Sequence, residues 1–212
     1  MKHNILLIIC SLLSVAAATS VAGVYLDTIP GAPFGLSWEP TAKPLCLTDP
    51  NTVIEPDTDT ALLECVVTDI PKPVKLISFY ILKYIRLPNN MYQLGAVIAG
   101  TDRTKNDPYA YKAIDITMQL EKALTKKYGK YTSADAYTGN YLWTEDQHRM
   151  QCYMDERCGK LVMFWTFAED YDIFLRIQGL DAFEGHVVVV YRTPVYNKYL
   201  KQKITVPDEN SF

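Results

Sequence analysis

Histidine is scarce in this chain, three in 212 residues, and His3 belongs to its extreme N-terminus. Only His148 and His186 remain to serve a Ser–His–Asp or Cys–His site, which needs a nucleophile on a tight turn beside its base. His148 ends the polar run Thr144-Glu145-Asp146-Gln147, and His186 opens an apolar run, so each has an ordinary structural place. Neither Gly-x-Ser-x-Gly nor a glycine-rich phosphate cradle occurs. Lysine and arginine nowhere cluster in a chain of net charge −3, which argues against nucleic acid as a partner. Metal patterns are missing as well. Asp57-Thr58-Asp59 begins like a calcium loop but lacks the glycine and distal glutamate that complete one. His148, Cys152 and Cys158 offer three zinc ligands, yet without the usual tight cysteine pair. The chain is expected to carry no metal and no cofactor.

The one long apolar stretch stands at the start, from Ile5 to Leu13 after the weakly basic Met1-Lys2-His3-Asn4. Small residues follow through Ala22, the order of a secretory signal peptide. The stretch is far shorter than the roughly 20 residues that cross a bilayer as a helix, and no second run approaches that length. A soluble exported protein without a stable membrane span is therefore expected. Ala16 and Ala18, or Ser20 and Ala22, place small residues correctly for cleavage after Ala18 or Ala22. Cys10 follows Leu7-Ile8-Ile9 and lacks the small residues that lipid attachment requires. Removing residues 1–22 also removes Lys2, so the remainder is one unit more negative than the full chain. That remainder suffices for one well-buried core.

Four cysteines survive such cleavage: Cys46, Cys65, Cys152 and Cys158. An even count in an oxidising compartment reads as disulfides, with three connectivities open. Cys46–Cys65 with Cys152–Cys158 is preferred because each closes a short loop. Free buried thiols are the plain alternative.

Six prolines between Pro30 and Pro56 exclude a long helix or central strand from residues 23–60. That segment reads as an extended wrap, with Phe34, Leu36 and Trp38 alternating as a short edge strand. A single α+β domain follows over 61–206. Strands are expected at Leu62–Thr68, Lys75–Leu87 and Met91–Ala99, the last two joined at Pro88-Asn89-Asn90. The main helix should run from Pro108 to Tyr128, with Asp107 as N-cap and Pro108 in its first position. Its apolar stripe is Ala113, Ile116, Leu120, Ala123, Leu124 and Tyr128, and Gly129 stops it. After a loop and a short strand about Tyr141-Leu142-Trp143 come strands at Lys160–Phe167, Asp172–Gln178 and His186–Thr193. The run Val187-Val188-Val189-Val190 marks the last as central and covered on both faces, and a short terminal helix is expected at Tyr196–Lys203. This order predicts an α+β fold, a largely antiparallel sheet with one main helix (about 108–128) packed on it.

Several motifs occur together: Lys127-Tyr128-Gly129 at the helix end, Cys152-x5-Cys158-Gly159, and a last strand finishing Tyr191-Arg192-Thr193-Pro194. With the opening Phe34-Gly35-Leu36-Ser37-Trp38, this order resembles a group of uncharacterised bacterial exported proteins. Those openings continue into a helix, which Glu39-Pro40-Thr41-Ala42-Lys43-Pro44 cannot form. The resemblance implies a periplasmic place in a Gram-negative bacterium, and it brings no activity with it.

The candidate binding surface is the segment from Tyr128 to Tyr141. Tyr128, Tyr131, Tyr137 and Tyr141 there surround small polar residues, an efficient mix for contact. The bland reading is a solvent loop whose tyrosines lie on the sheet. Three carboxylate pairs, Glu145 with Asp146, Asp155 with Glu156 and Asp170 with Asp172, fall in turns where acidic residues are common. The reading is an exported, non-catalytic module that binds an unknown protein of the cell envelope, of inhibitor, immunity or accessory type. The alternative is a small hydrolase of wall glycan, which needs two carboxyls about 5–10 Å apart across a cleft.

Overall fold

The computed structural model describes Leu26 and residues 29–48, 53–54, 61–138, 146–155 and 158–205. The leader read from residues 1–22, the strand expected about Tyr141 and the calcium-like Asp57-Thr58-Asp59 lie outside these residues. Eight strands are β1 (Val53–Ile54), β2 (Leu62–Val67), β3 (Phe79–Arg86), β4 (Tyr92–Gly100), β5 (Ser133–Thr138), β6 (Gly159–Thr166), β7 (Asp172–Gly179) and β8 (Gly185–Arg192). Helices are α1 (Leu45–Thr48), α2 (Tyr111–Tyr128), α3 (Arg149–Cys152) and α4 (Pro194–Thr205). The fold is α+β, as the order of elements predicts.

All neighbouring strands pair antiparallel, in the order β1-β2-β3-β4-β8-β7-β6-β5. Two four-stranded meanders thus meet at a seam between β4 and β8, where Ala96 pairs with Arg192 and Gly100 with Val188. Each meander is followed by a helix, α2 after the first and α4 after the second. Strand β8 lies at the centre, and Val187 to Val190 are buried on both faces.

Period-two alternation gives the sheet two unlike faces. One carries Tyr80, Leu82, Val97, Leu175, Val189 and Tyr191, and Ala113, Leu120 and Leu124 of α2 join them in one buried cluster. The other is covered at one end, where Tyr196 of α4 packs with Ile85 and Ala96.

Three local expectations are corrected. Helix α2 begins at Tyr111 rather than Pro108, because Ala110 takes a left-handed conformation (φ 56°) at the N-cap. Asp107 still serves the helix start, but from outside the cap: Oδ1 accepts the Lys112 N–H and Oδ2 the Ala113 N–H. The helix has no acidic residue in its first turn, so this buried carboxylate supplies the charge that its dipole favours. At the other end Gly129 (φ 85°) donates its N–H to the Thr125 carbonyl, closing the helix as its sequence implies.

Residues 33–35 form a 3-10 turn, not an edge strand, with Phe34 left-handed at φ 58° and ψ 23°. That conformation is uncommon for a bulky side chain. Here edge-on contacts hold the Phe34 ring, 4.9 Å from Tyr80 and 5.6 Å from Tyr191 between centroids. The third correction concerns the loop after Gly129: Ser133–Thr138 is the edge strand β5, paired with β6 from Ser133↔Phe164 to Thr138↔Gly159. Among the described residues no helix is long and apolar enough to cross a membrane.

Candidate functional site

The partly open sheet face is the candidate site. From β3 it receives Phe79, Ile81 and Lys83, from β8 Val190 and Arg192, and from β7 Phe174, Arg176 and Gln178. Two adjoining hollows of about 440 and 360 Å³ lie over it and share Phe174, Arg176, Gln178 and Arg192. The second runs on to Phe164 of β6 and to Tyr153 and Met154 beyond α3. Half-buried rings make its middle: Phe164 and Phe174 stand 5.9 Å apart, and Phe79 meets His186 edge-on at 5.3 Å.

Gly100 makes room for one of these rings. It pairs with Phe79 across the strands, and a Cβ there would fall 2.0 Å from the Phe79 ring. Gly179 and Gly185 do the same for the α3 loop, since Cβ atoms there would meet the Met150 carbonyl at 2.4 Å and its sulfur at 2.5 Å. Close approach, rather than turn geometry, accounts for these three glycines.

Cations on this face are held by carboxylates and rings. Arg192 Nε donates to Asp172 Oδ1 at 2.7 Å, and its guanidinium lies 4.9 Å from the Phe174 ring centre. Asp172 Oδ2 also accepts Asn197 of α4 at 2.9 Å, tying helix to sheet. Lys83 meets Glu64 at 2.6 Å. Burial opposes the charge on Lys83, but hydrogen bonds and attraction from Glu64 and Tyr196 outweigh it and raise its pKa. Lys160 pairs with Asp135 of β5.

His186 Nδ1 lies 2.9 Å from the Thr101 carbonyl, which can only accept, so that nitrogen carries the proton and the ring is fixed in place. Asp170 pairs with Lys201 at 3.5 Å, and Asp172 is already engaged. Among the described residues neither hollow is lined by a carboxylate, and no group of three or more His, Cys, Asp or Glu is placed to hold a metal. Glu145 and Glu156 lie outside the described residues.

The four cysteines form two disulfides, Cys46–Cys65 and Cys152–Cys158. The first ties α1 to β2; the second joins α3 to the start of β6, beside the Tyr153 and Met154 wall of the smaller hollow. The tyrosines singled out by sequence go elsewhere. Tyr128 and Tyr131 are half-buried, edge-on to Phe167 at 5.8 Å and to Trp165 at 6.0 Å. The Tyr128 hydroxyl is buried with no hydrogen-bond partner among the described residues. The backbone of Tyr137 belongs to β5, and Tyr141 lies outside the described residues.

Sequence reading missed the sheet face because β3 and β8 are apolar on both parities, so alternation does not separate floor from core. One signal was present: the charged Lys83, Arg176 and Arg192 fall in mainly apolar strands. Comparison with family models, with curated proteins and with solved structures finds no match.

Proposed function

We propose that this protein is an exported, disulfide-stapled binding module of the bacterial periplasm, and that an envelope protein docks on the open sheet face. The observation that carries this reading is the face itself. Phenylalanine rings, aliphatic side chains and arginines are contiguous there, with Arg192 already oriented by Asp172 and the Phe174 ring. Aromatic and arginine anchors on a rigid, pre-oriented surface are what protein contacts favour. The two disulfides suit an oxidising compartment, and the leader-like N-terminus supplies the route. The type we propose is an inhibitor, an immunity protein or an envelope accessory.

The test is affinity capture from a periplasmic extract with three tagged proteins: wild type, Phe174→Asp, and Tyr111→Ser. Tyr111 is exposed at the start of α2, away from the face. A stoichiometric protein captured by wild type and Tyr111→Ser but lost with Phe174→Asp supports the reading. Equal capture by all three moves the docking surface elsewhere.

A further inference from the structure

The other face of the sheet holds a further cavity. Between the N-terminal segment and α2 lies a cleft of about 590 Å³, within the range of small-ligand sites. Val189 and Tyr191 of β8 form its floor, and Leu120, Ala123 and Leu124 of α2 one wall. The opposite wall is the 33–35 turn, with Phe34 in its left-handed conformation.

Two charged residues line this otherwise apolar space, Lys72 and Lys127. Both are exposed, and among the described residues neither is ion-paired with a carboxylate. The backbone N–H of Lys72 donates to the Phe34 carbonyl at 2.9 Å, so the lysine is fixed to the strained turn. The Lys127 ammonium lies 4.8 Å from the Tyr128 ring centre, at the same end of α2 as Leu124. Burial, aided by the neighbouring phenols of Tyr128 and Tyr80, pushes the Tyr191 phenol far up, so the floor stays neutral. Apolar walls, a neutral floor and two cations without a carboxylate partner among the described residues match one ligand chemistry.

We propose that this cleft binds a single-chain amphiphile with an anionic head, its tail on Leu124 and Val189 and its head held by Lys72 and Lys127. The site is independent of the docking face, which lies on the opposite side of the sheet.

The test is calorimetric titration of the purified, oxidised protein with octanoate, decanoate and dodecanoate, with decyl phosphate, and with neutral 1-decanol, all below their aggregation concentrations. Saturable carboxylate binding is expected, strengthening roughly two- to fourfold per added methylene until the cleft is filled. The Lys72→Gln/Lys127→Gln double variant should weaken decanoate at least fivefold and leave decanol unchanged. Ala123→Trp, at an exposed position on the cleft wall, should abolish all binding while keeping the wild-type circular dichroism. Binding of decyl phosphate alone would keep the site and assign its head group as phosphate. No saturable binding by wild type, or equal affinity for decanol and decanoate, overturns the proposal. So does undiminished binding by folded Ala123→Trp. Should Ala123→Trp not fold, the surface lysine pair decides the outcome.

Discussion

Asp107 Oδ2 accepts the backbone N–H of Ala113 at 3.0 Å, reaching across the unusual left-handed entry at Ala110. Its Oδ1 takes the Lys112 N–H, and its own N–H donates to the Phe183 carbonyl in the β7–β8 connection. One residue thus caps the main helix and anchors it to the second meander. Replacing Asp107 by Ala strands two helix N–H groups and should cost about 1–3 kcal/mol. Urea denaturation of Asp107→Ala and Asp107→Asn measures this, with the amide recovering part of the loss. An unchanged midpoint for the alanine variant would remove the capping role.

The disulfides close loops of unequal length, with sequence separations of 19 and 6. On loop-closure entropy, Cys46–Cys65 should contribute about 3 kcal/mol and Cys152–Cys158 about 2 kcal/mol. Paired alanine variants of each bridge, unfolded in denaturant, give the order directly. The reverse order would show that native-state contacts around α3, not chain entropy, dominate.

Gly100→Ala places a methyl group where the Phe79 ring lies. The ring must swing into the larger hollow, at a cost of about 1–3 kcal/mol. The melting temperature should fall and capture of the docked partner should weaken together. A variant that loses stability but captures partner fully would separate Phe79 from the contact surface.

The raised pKa of Lys83 fixes the sign of an alkaline effect. Folding favours its protonated form, so the Lys83–Glu64 contribution is complete below the ordinary lysine value of 10.5 and is lost as pH rises through the raised one. The stability gap between wild type and Lys83→Met should stay level at neutral pH and close above about pH 10.5. Equilibrium unfolding at stepped pH checks it; a gap that widens with pH contradicts the assignment.

Regular elements were legible where period and punctuation agree. The α2 stripe and Gly129 define that helix to its last residue, and the valine run places β8 at the centre. The start of α2 was misread because Pro108 suits a first helical position, and nothing local announces that Ala110 turns left-handed. Phe34 failed for a similar reason: its neighbours in space, Tyr80 and Tyr191, are far away in sequence and decide its backbone. Both hollows stayed hidden because they arise from which parity α2 and α4 cover. That choice depends on the strand order, and no single strand encodes it.

The seam between β4 and β8 also sets the order of assembly. Ala96 finds its second partner only when Arg192 is present, almost at the end of the described chain, whereas β3–β4 and β7–β8 close through short connections. Loop-closure entropy favours closing the local hairpins before the seam, since distant contacts repay their closure entropy late. Until then β4 carries a bare edge of hydrogen-bonding groups, a template for any passing strand. A chain threaded across a membrane from its N-terminus would expose that edge for the whole time its second half is still arriving. For such a chain, holding β4 apart from other nascent chains during that interval would be a kinetic demand that the finished sheet no longer shows.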